Sequence, residues 1–421
     1  MGEEIRTMET EQRKADLKKI KSFMVGEVDK NVQIINSILD TDLYKLTMLQ
    51  AFWHQYPKAT GRWEFKCRNK GIKLGFLANQ IREQLDMMKG LHLSLEELWE
   101  IESACPYLSK DFLIWLSHDF RLDPSLVSVT DVDGHLEIIA EGKLIEVNIF
   151  EVFILSIVNE LYFEHEVEKS GKTYEEVYAE GLKRLEKKVK MLKGYPRLLF
   201  AEFGTRRRFS KLWQEKEIAY LAKHCPNMVG CSNIKIALAN EIKPIGTVAH
   251  EWSMAHLGFV DRVEQAQGRA LHVWRQEYGQ DLGIALSDTF TTDAFLRDFD
   301  FSVARAYAGV RHDSGCPFIF GHKMIKHYED VGIDPRRKSI IFSDGLDVEK
   351  AIAIWKEFAG LISISFGIGT NFSNDLGFTP LQIVMKLLMC NGEHTVKLSD
   401  DEGKNMGNEG KIEEVIEAYV K

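Results

Sequence analysis

His250 ends the segment Gly246-Thr247-Val248-Ala249-His250-Glu251, where an apolar run meets an imidazole followed by a carboxylate. A neutral imidazole carries protons and can also attack phosphorus as a nucleophile. A hydrogen-bonded structural histidine is the alternative, and Glu251 is the neighbour that would orient or charge-stabilise the ring. Arg311-His312-Asp313-Ser314-Gly315 sets a cation and an anion at the end of another run. The guanidinium fork suits a carboxylate or phosphate. Asp313 suits ribose hydroxyls or a water-bridged magnesium ion, with an internal Arg–Asp pair as the other reading. Phe203-Gly204-Thr205-Arg206-Arg207-Arg208 packs three positive charges behind a glycine, as an anion site or a solvated charge run. Gly367-Ile368-Gly369-Thr370-Asn371 offers backbone N–H groups and two side-chain donors, for a phosphate cradle or a tight turn.

Two nucleotide-binding motifs are excluded. Gly171-Lys172-Thr173 resembles the end of a P-loop, but Glu166 stands where that loop requires glycine. The Gly367 segment lacks the third glycine of a dinucleotide fingerprint. Any ATP site here is of a different kind.

These motifs need a frame. From about Leu198, short apolar runs recur and end in polar or charged residues: Leu198 to Phe203, Met228 to Cys231, Pro244 to Ala249, Gly283 to Ser287, Tyr307 to Val310, Ser339 to Ser343 (then Asp344-Gly345-Leu346-Asp347) and Leu361 to Phe366. Helical stretches such as Ser210 to Lys223, Asp261 to Tyr278 and Val348 to Ala359 lie between them. Buried parallel strands alternating with helices give an α/β fold. About seven such units in succession predict an irregular (β/α) barrel over residues 161–380, whose polar motifs sit at the strand ends where barrels keep their active sites. Before it, a helix is expected from Asp42 to His54, capped by Thr41 or Asp40. Strands follow at Gly61 to Lys66 and Leu126 to Ile138, the latter turning at Asp133-Gly134. Residues 31–160 and 381–421 read as a second, α+β domain. In that C-terminal part, Leu381 to Leu388 and Ile412 to Tyr419 read as helices and Thr395 to Leu398 as a returning strand. Residues 1–30 read as a charged extension.

The formal net charge of -9 excludes a general affinity for nucleic acid, which needs a basic footprint. The six cysteines, Cys67, Cys105, Cys225, Cys231, Cys316 and Cys390, form no CxxC pair and fit reduced thiols. The N-terminus has no apolar signal segment. Leu144 to Phe163, the most apolar stretch, carries Glu146, Glu151 and Glu160 and cannot span a membrane. A soluble, cytoplasmic protein without nucleic-acid or membrane partners is expected.

From about Ser37 to Gly407 the chain resembles the nicotinate phosphoribosyltransferase family. The resemblance is carried by Leu39-Asp40-Thr41-Asp42-Leu43-Tyr44-Lys45-Leu46-Thr47-Met48, Glu202-Phe203-Gly204-Thr205-Arg206-Arg207, Gly246 to Trp252, Gly309 to Gly315 and Phe366 to Asn371, in family order. It implies a type II phosphoribosyltransferase fold, an irregular α/β barrel plus a sandwich-like domain from both chain ends. It implies transfer from phosphoribosyl pyrophosphate to nicotinate, the first step of NAD salvage from nicotinate. ATP is then a co-substrate acting through a phosphorylated His250, with Mg2+ as cofactor. Tyr44, Thr247 and Arg311 match nicotinate contacts. Thr370, Asp313, Asp344, Gly345 and Gly369 fall where relatives grip the ribose and its phosphate, and Arg206 and Arg207 would steady the departing pyrophosphate. The metal ligands stay open, with Asp288 a candidate. Some relatives complete the site across a homodimer interface, where Tyr44 would serve a neighbouring subunit. One departure stands out: the family usually continues Asp-Ser-Gly with Asp-Pro, and here Cys316-Pro317 follows. That puts metal contacts at this position in doubt. Quinolinate and nicotinamide phosphoribosyltransferases share the fold. A hydrolase using Asp288 and Asp344 and a non-catalytic metabolite-binding protein are the readings from other classes.

Overall fold

The computed structural model describes residues 32–401 and 405–420. The extension expected over residues 1–30 lies outside the described residues. Two sheets form. In chain order their strands are β1 (Thr60–Cys67), β2 (Val127–Val132), β3 (His135–Lys143), β4 (Leu199–Glu202), β5 (Met228–Cys231), β6 (Ile284–Leu286), β7 (Gly309–His312), β8 (Ser339–Phe342), β9 (Ser363–Ile368), β10 (Ile383–Cys390) and β11 (Glu393–His394).

Strands β4 to β9 make a parallel sheet of six strands in the order β5-β4-β9-β8-β7-β6. The parallel α/β reading holds, but a closed seven-stranded barrel does not form. The edge strands β5 and β6 do not pair with each other. The run Pro244 to Ala249, expected as a further strand, contributes a single rung: Ile245 N–H donates to the Cys231 carbonyl at 2.8 Å, and Cys231 N–H to that of Lys243 at 3.2 Å. The chain then leaves the strand where Gly246 packs on the start of the helix Leu43–Gln55. A Cβ on Gly246 would lie 3.0 Å from the Tyr44 backbone nitrogen. Past that point the chain enters the helix His250–Ala255.

The remaining strands form an antiparallel sheet, order β11-β10-β1-β3-β2. Asp133 and Gly134, both at positive φ (53° and 82°), turn β2 into β3 as a hairpin. Leu381 to Leu388, read from sequence as helix, is instead mostly β10, paired with β1 and β11. Its near-continuous apolar text suits either element. Pairing on both sides decides for strand, and Ile383, Met385 and Leu387 on alternate positions are buried. The strand expected over Thr395 to Leu398 does not form: the two-residue β11 precedes it, and within the run only an isolated bridge between Lys397 and Met406 is made; the final helix spans Glu409–Val420.

The helix Leu43–Gln55 joins the two sheets. Its cap is Asp42, whose side chain makes no capping bond; it accepts from Ser232 Oγ at 2.6 Å, at the end of β5. Asp40 does not cap the helix either, since its carboxylate binds Arg208. The apolar stretch from Leu144 becomes the helices Leu144–Val147 and Phe150–Ser170, the latter buried along most of its length. Among the described residues no helix is long and apolar enough to cross a membrane.

Candidate active site

A cavity of about 800 Å³ opens at the carboxyl ends of the parallel strands, where ligands bind in open α/β sheets. Its wall includes Tyr44, Arg206, Arg207, Thr247, His250, Arg311, Asp313, Asp344, Gly345, Gly369 and Thr370. The sequence-derived set thus converges on one space, apart from Asp288. Each motif arrives from its own strand: Arg206 and Arg207 after β4, Asp313 after β7, Asp344 and Gly345 after β8, Gly369 and Thr370 after β9.

Strand alternation sorts the Arg311 motif. Arg311 faces the cavity while its neighbour His312 is buried against the rings of Phe320 and Phe342. Arg311 Nη1 donates to the Val248 carbonyl at 2.9 Å, and Nη2 lies 4.0 Å from Asp313. Its buried Nε has no hydrogen-bond partner. A desolvated N–H of this kind favours an anionic ligand.

His250 opens the short helix His250–Ala255 and is buried. Its Nδ1 lies 3.1 Å from Thr289 Oγ1 and its Nε2 3.0 Å from Asp313 Oδ2. Burial, with help from the Lys397 charge and against the pull of Asp288 and Asp313, lowers the imidazole to about 4. Burial also pushes the Asp313 carboxyl up, but the His250 hydrogen bond, Arg311 and Lys397 outweigh it and hold the group well below its usual range. The pair is therefore a neutral imidazole beside an ionised carboxylate, with Nε2–H donated to Asp313 and Nδ1 accepting from the Thr289 hydroxyl. Ser343 Oγ donates to the other Asp313 oxygen at 2.7 Å. Glu251, expected to orient His250, points elsewhere. It accepts from Trp63 Nε1 at 2.8 Å and from Asn148 at 3.1 Å, and it pairs with Lys45. Successive helical side chains diverge by roughly 100°, so adjacency in sequence set the two apart.

The arginine run is divided. Arg206 and Arg207 line the cavity, whereas Arg208 turns inward and grips Asp40 through two bonds of 2.7 and 3.1 Å. Arg206 lies 5.7 Å from the Tyr44 ring centroid and 3.5 Å from Glu151. Burial, with Arg206 and Arg68 adding to it, lowers Arg207 to about 10. The glycines after β9 serve close packing: a Cβ on Gly367 would meet the Phe203 ring at 2.3 Å, and one on Gly369 the Phe203 carbonyl at 2.8 Å. This abutment fixes the Gly367-to-Asn371 turn against the arginine turn.

Sequence reading missed Arg68, Lys386 and Lys397, which also line the cavity. Lys386 is the one charged residue between Leu381 and Leu388, a signal visible in the sequence. Burial lowers its ammonium to about 8, partly offset by Glu151. Asp288 is buried, accepts from Ser314 Oγ at 2.6 Å and pairs with Lys397 at 3.2 Å. It lies 3.8 Å from His250 Nε2 and does not line the cavity. Cys316 is exposed and also outside the lining. Among the described residues no cluster of three or more His, Cys, Asp or Glu side chains is arranged around a metal ion. Magnesium that arrives on a polyphosphate needs only one or two carboxylates. Asp313 and Asp344 on the cavity wall fit that requirement, while Lys397 already provides a cation beside Asp288.

Comparison with known proteins gives a consistent result. Residues 198–420 match the model of the nicotinate phosphoribosyltransferase family, and residues 39–159 that of its N-terminal domain. The nicotinate phosphoribosyltransferase of Chromobacterium violaceum is 44% identical over 388 residues, covering 90% of this chain and 94% of the relative. That of Neisseria gonorrhoeae is 43% identical over 387 residues, covering 89% and 94%. The crystal structure of the Vibrio cholerae nicotinate phosphoribosyltransferase superposes with a TM-score of 0.87 at 36% identity, covering 93% of this chain and 94% of that one. The Porphyromonas gingivalis structure gives 0.85 at 36%, covering 92% and 100%. The chain is an enzyme and belongs to the nicotinate phosphoribosyltransferase family.

Proposed function

We propose that this enzyme transfers the phosphoribosyl group of phosphoribosyl pyrophosphate to the ring nitrogen of nicotinate, forming nicotinate mononucleotide and pyrophosphate, and couples the transfer to ATP hydrolysis through a phosphorylated His250. In that role it takes the first step from nicotinate to NAD, in the cytoplasm. The observation that carries the reading is the single cavity shared by a neutral imidazole, a cationic wall and the Thr370 turn, all drawn from distant parts of the chain.

Breaking the C1–pyrophosphate bond gives the ribose an oxocarbenium-like character while negative charge grows on the leaving group. Arg206 and Arg207 stabilise that charge from fixed positions, which is worth more than the same charges free in water. The nucleophile is an unprotonated pyridine nitrogen, so aiming matters more than proton removal. Tyr44 supplies a ring face and Arg311 a fork for the nicotinate carboxylate. A neutral amide would leave that buried cation unpaired, at a cost of several kcal/mol. Thr370 and Asp344 hold the phosphoribosyl group. Bound magnesium supplies further neutralisation of polyphosphate charge, with Asp313 and Asp344 as the residues to hold it.

In the tautomer that carries the proton on Nδ1, held by Thr289 Oγ1, the free lone pair of His250 Nε2 bonds to the γ-phosphorus of ATP as the bond to the β–γ bridging oxygen breaks. ADP leaves with the electrons of that bond, and the ring keeps its Nδ1 proton, donated to Thr289 Oγ1. The ring's depressed basicity keeps it unprotonated and competent for this attack at neutral pH. Phosphorylation then adds roughly two negative charges, by analogy with other phosphorylated side chains, close to Asp313 and Asp288. That charge alters affinity for the substrates between turnover stages. His250→Ala should abolish the phosphoenzyme and the ATP stimulation while keeping slow, uncoupled transfer. ATP hydrolysis at the wild-type rate in that variant refutes the assignment.

A further inference from the structure

Arg206 and Arg207 ride on a turn whose backbone is clamped from several directions. The Gly204 carbonyl accepts from Ser373 Oγ (3.1 Å), that of Thr205 from Ser156 (2.9 Å), that of Arg206 from Asn159 (3.1 Å) and that of Arg207 from Asn374 (2.7 Å). Beneath the turn lies Glu202, with no solvent exposure. Its Oε1 accepts from Gly204 N–H. Its Oε2 accepts from Gln214 Nε2 at 3.1 Å and from Cys231 Sγ at 3.2 Å. The same Gln214 nitrogen reaches Thr205 Oγ1 at 3.1 Å, and Gln214 Oε1 accepts from Arg208 at 3.3 Å.

The glycine at 204 is explained by this contact: a Cβ there would lie 2.3 Å from Glu202 Oε1 and 2.1 Å from Ser373 Oγ. Glu202 takes hydrogen bonds from neutral donors only. A buried carboxylate so served is costly compared with an apolar side chain of its size. What it gives in return is the geometry of the turn. Of the two residues that follow Thr205, both face the cavity, and both depend on where Gly204 and Thr205 are held.

We propose that Glu202 is a positioning residue for pyrophosphoryl binding: through Gly204 N–H directly, and through Gln214 on Thr205, it sets the turn that aims Arg206 and Arg207 at the leaving group. The inference rests on the reading of those two arginines as pyrophosphoryl ligands. A cation displaced by about 1 Å loses much of its hold on a polyphosphate while nicotinate, held by Tyr44 and Arg311, is unaffected.

The test separates KM for the two substrates. In Glu202→Gln the new amide N–H₂ faces the Gln214 amide N–H₂, and the bridge to Thr205 is lost if Gln214 flips. KM for phosphoribosyl pyrophosphate should rise about tenfold, the typical effect of losing a charge-assisted contact, with KM for nicotinate within about twofold. The double variant E202Q/Q214E reverses the donor and acceptor across the pair and should recover most of the loss. If E202Q does not fold, Gln214→Met alone should raise the same KM about threefold. An unchanged KM for phosphoribosyl pyrophosphate in the folded variant, or an equal rise in both KM values, overturns the proposal. Arginine variants R206A and R207A with wild-type KM would remove the underlying reading and this inference together. Arginine variants that raise KM beside an unaffected E202Q overturn the inference alone.

Discussion

Arg207 and Arg208 are adjacent in the chain, yet they meet opposite environments. Arg208 is fully buried and matched to Asp40 by two hydrogen bonds. Burial pushes the Asp40 carboxyl up, but Arg208 and Lys211 pull it well below the carboxylate range. Arg207 has weaker attachments, an Ile383 carbonyl and Gln382 Oε1 both at 3.3 Å, and it sits near other cations. A matched buried charge ties together two sequence motifs, the Leu39-to-Met48 stretch and the arginine turn. An unmatched one facing a cavity keeps its charge available for a ligand. The two cannot be distinguished by residue type, only by what the fold provides opposite each.

The largest expected effect breaks the matched side. Asp40→Asn or Arg208→Met leaves one buried partner unpaired and should cost about 3–5 kcal/mol of stability, read from denaturant unfolding. A loss under about 1 kcal/mol would make the pair an ordinary surface-like contact. Next is the unmatched side. Arg207→Ala should change stability by less than about 1 kcal/mol yet raise KM for phosphoribosyl pyrophosphate at least about tenfold. A stability loss as large as that of the Asp40 variant would erase the distinction.

The smallest effect is a pH dependence. Burial lowers Lys386 to about 8, so its charge is present below that pH and lost above it. Affinity for phosphoribosyl pyrophosphate should therefore weaken between pH 7.5 and 9, by roughly threefold to tenfold for one lost contact, and Lys386→Met should flatten that part of the profile. A profile identical in wild type and variant would mean that Lys386 does not meet the anion.

The same contrast explains what the sequence reveals. Parallel strands were legible because short apolar runs stop at polar residues, and those stops mark the cavity rim. Arg206, Arg311, Asp313 and Thr370 all lie at such stops. The single-rung behaviour of Pro244 to Ala249 was not legible, because it follows from Gly246 packing on the distant helix at Tyr44. Lys386 and Lys397 follow no strand end of the parallel sheet: Lys386 lies on β10 of the antiparallel sheet and Lys397 in the segment after β11. The direction of Glu251 is not legible for a related reason: its partners Lys45, Trp63 and Asn148 are all more than a hundred residues away. Local text reports where a side chain begins, and tertiary contacts decide where it points.

The most direct test is a product assay with nicotinate, phosphoribosyl pyrophosphate and magnesium, with and without ATP. Pyrophosphate and nicotinate mononucleotide should appear in equal amounts, require both substrates and form faster or further when ATP is present. Pyrophosphate release that does not depend on nicotinate, or none at all in folded enzyme, contradicts the account.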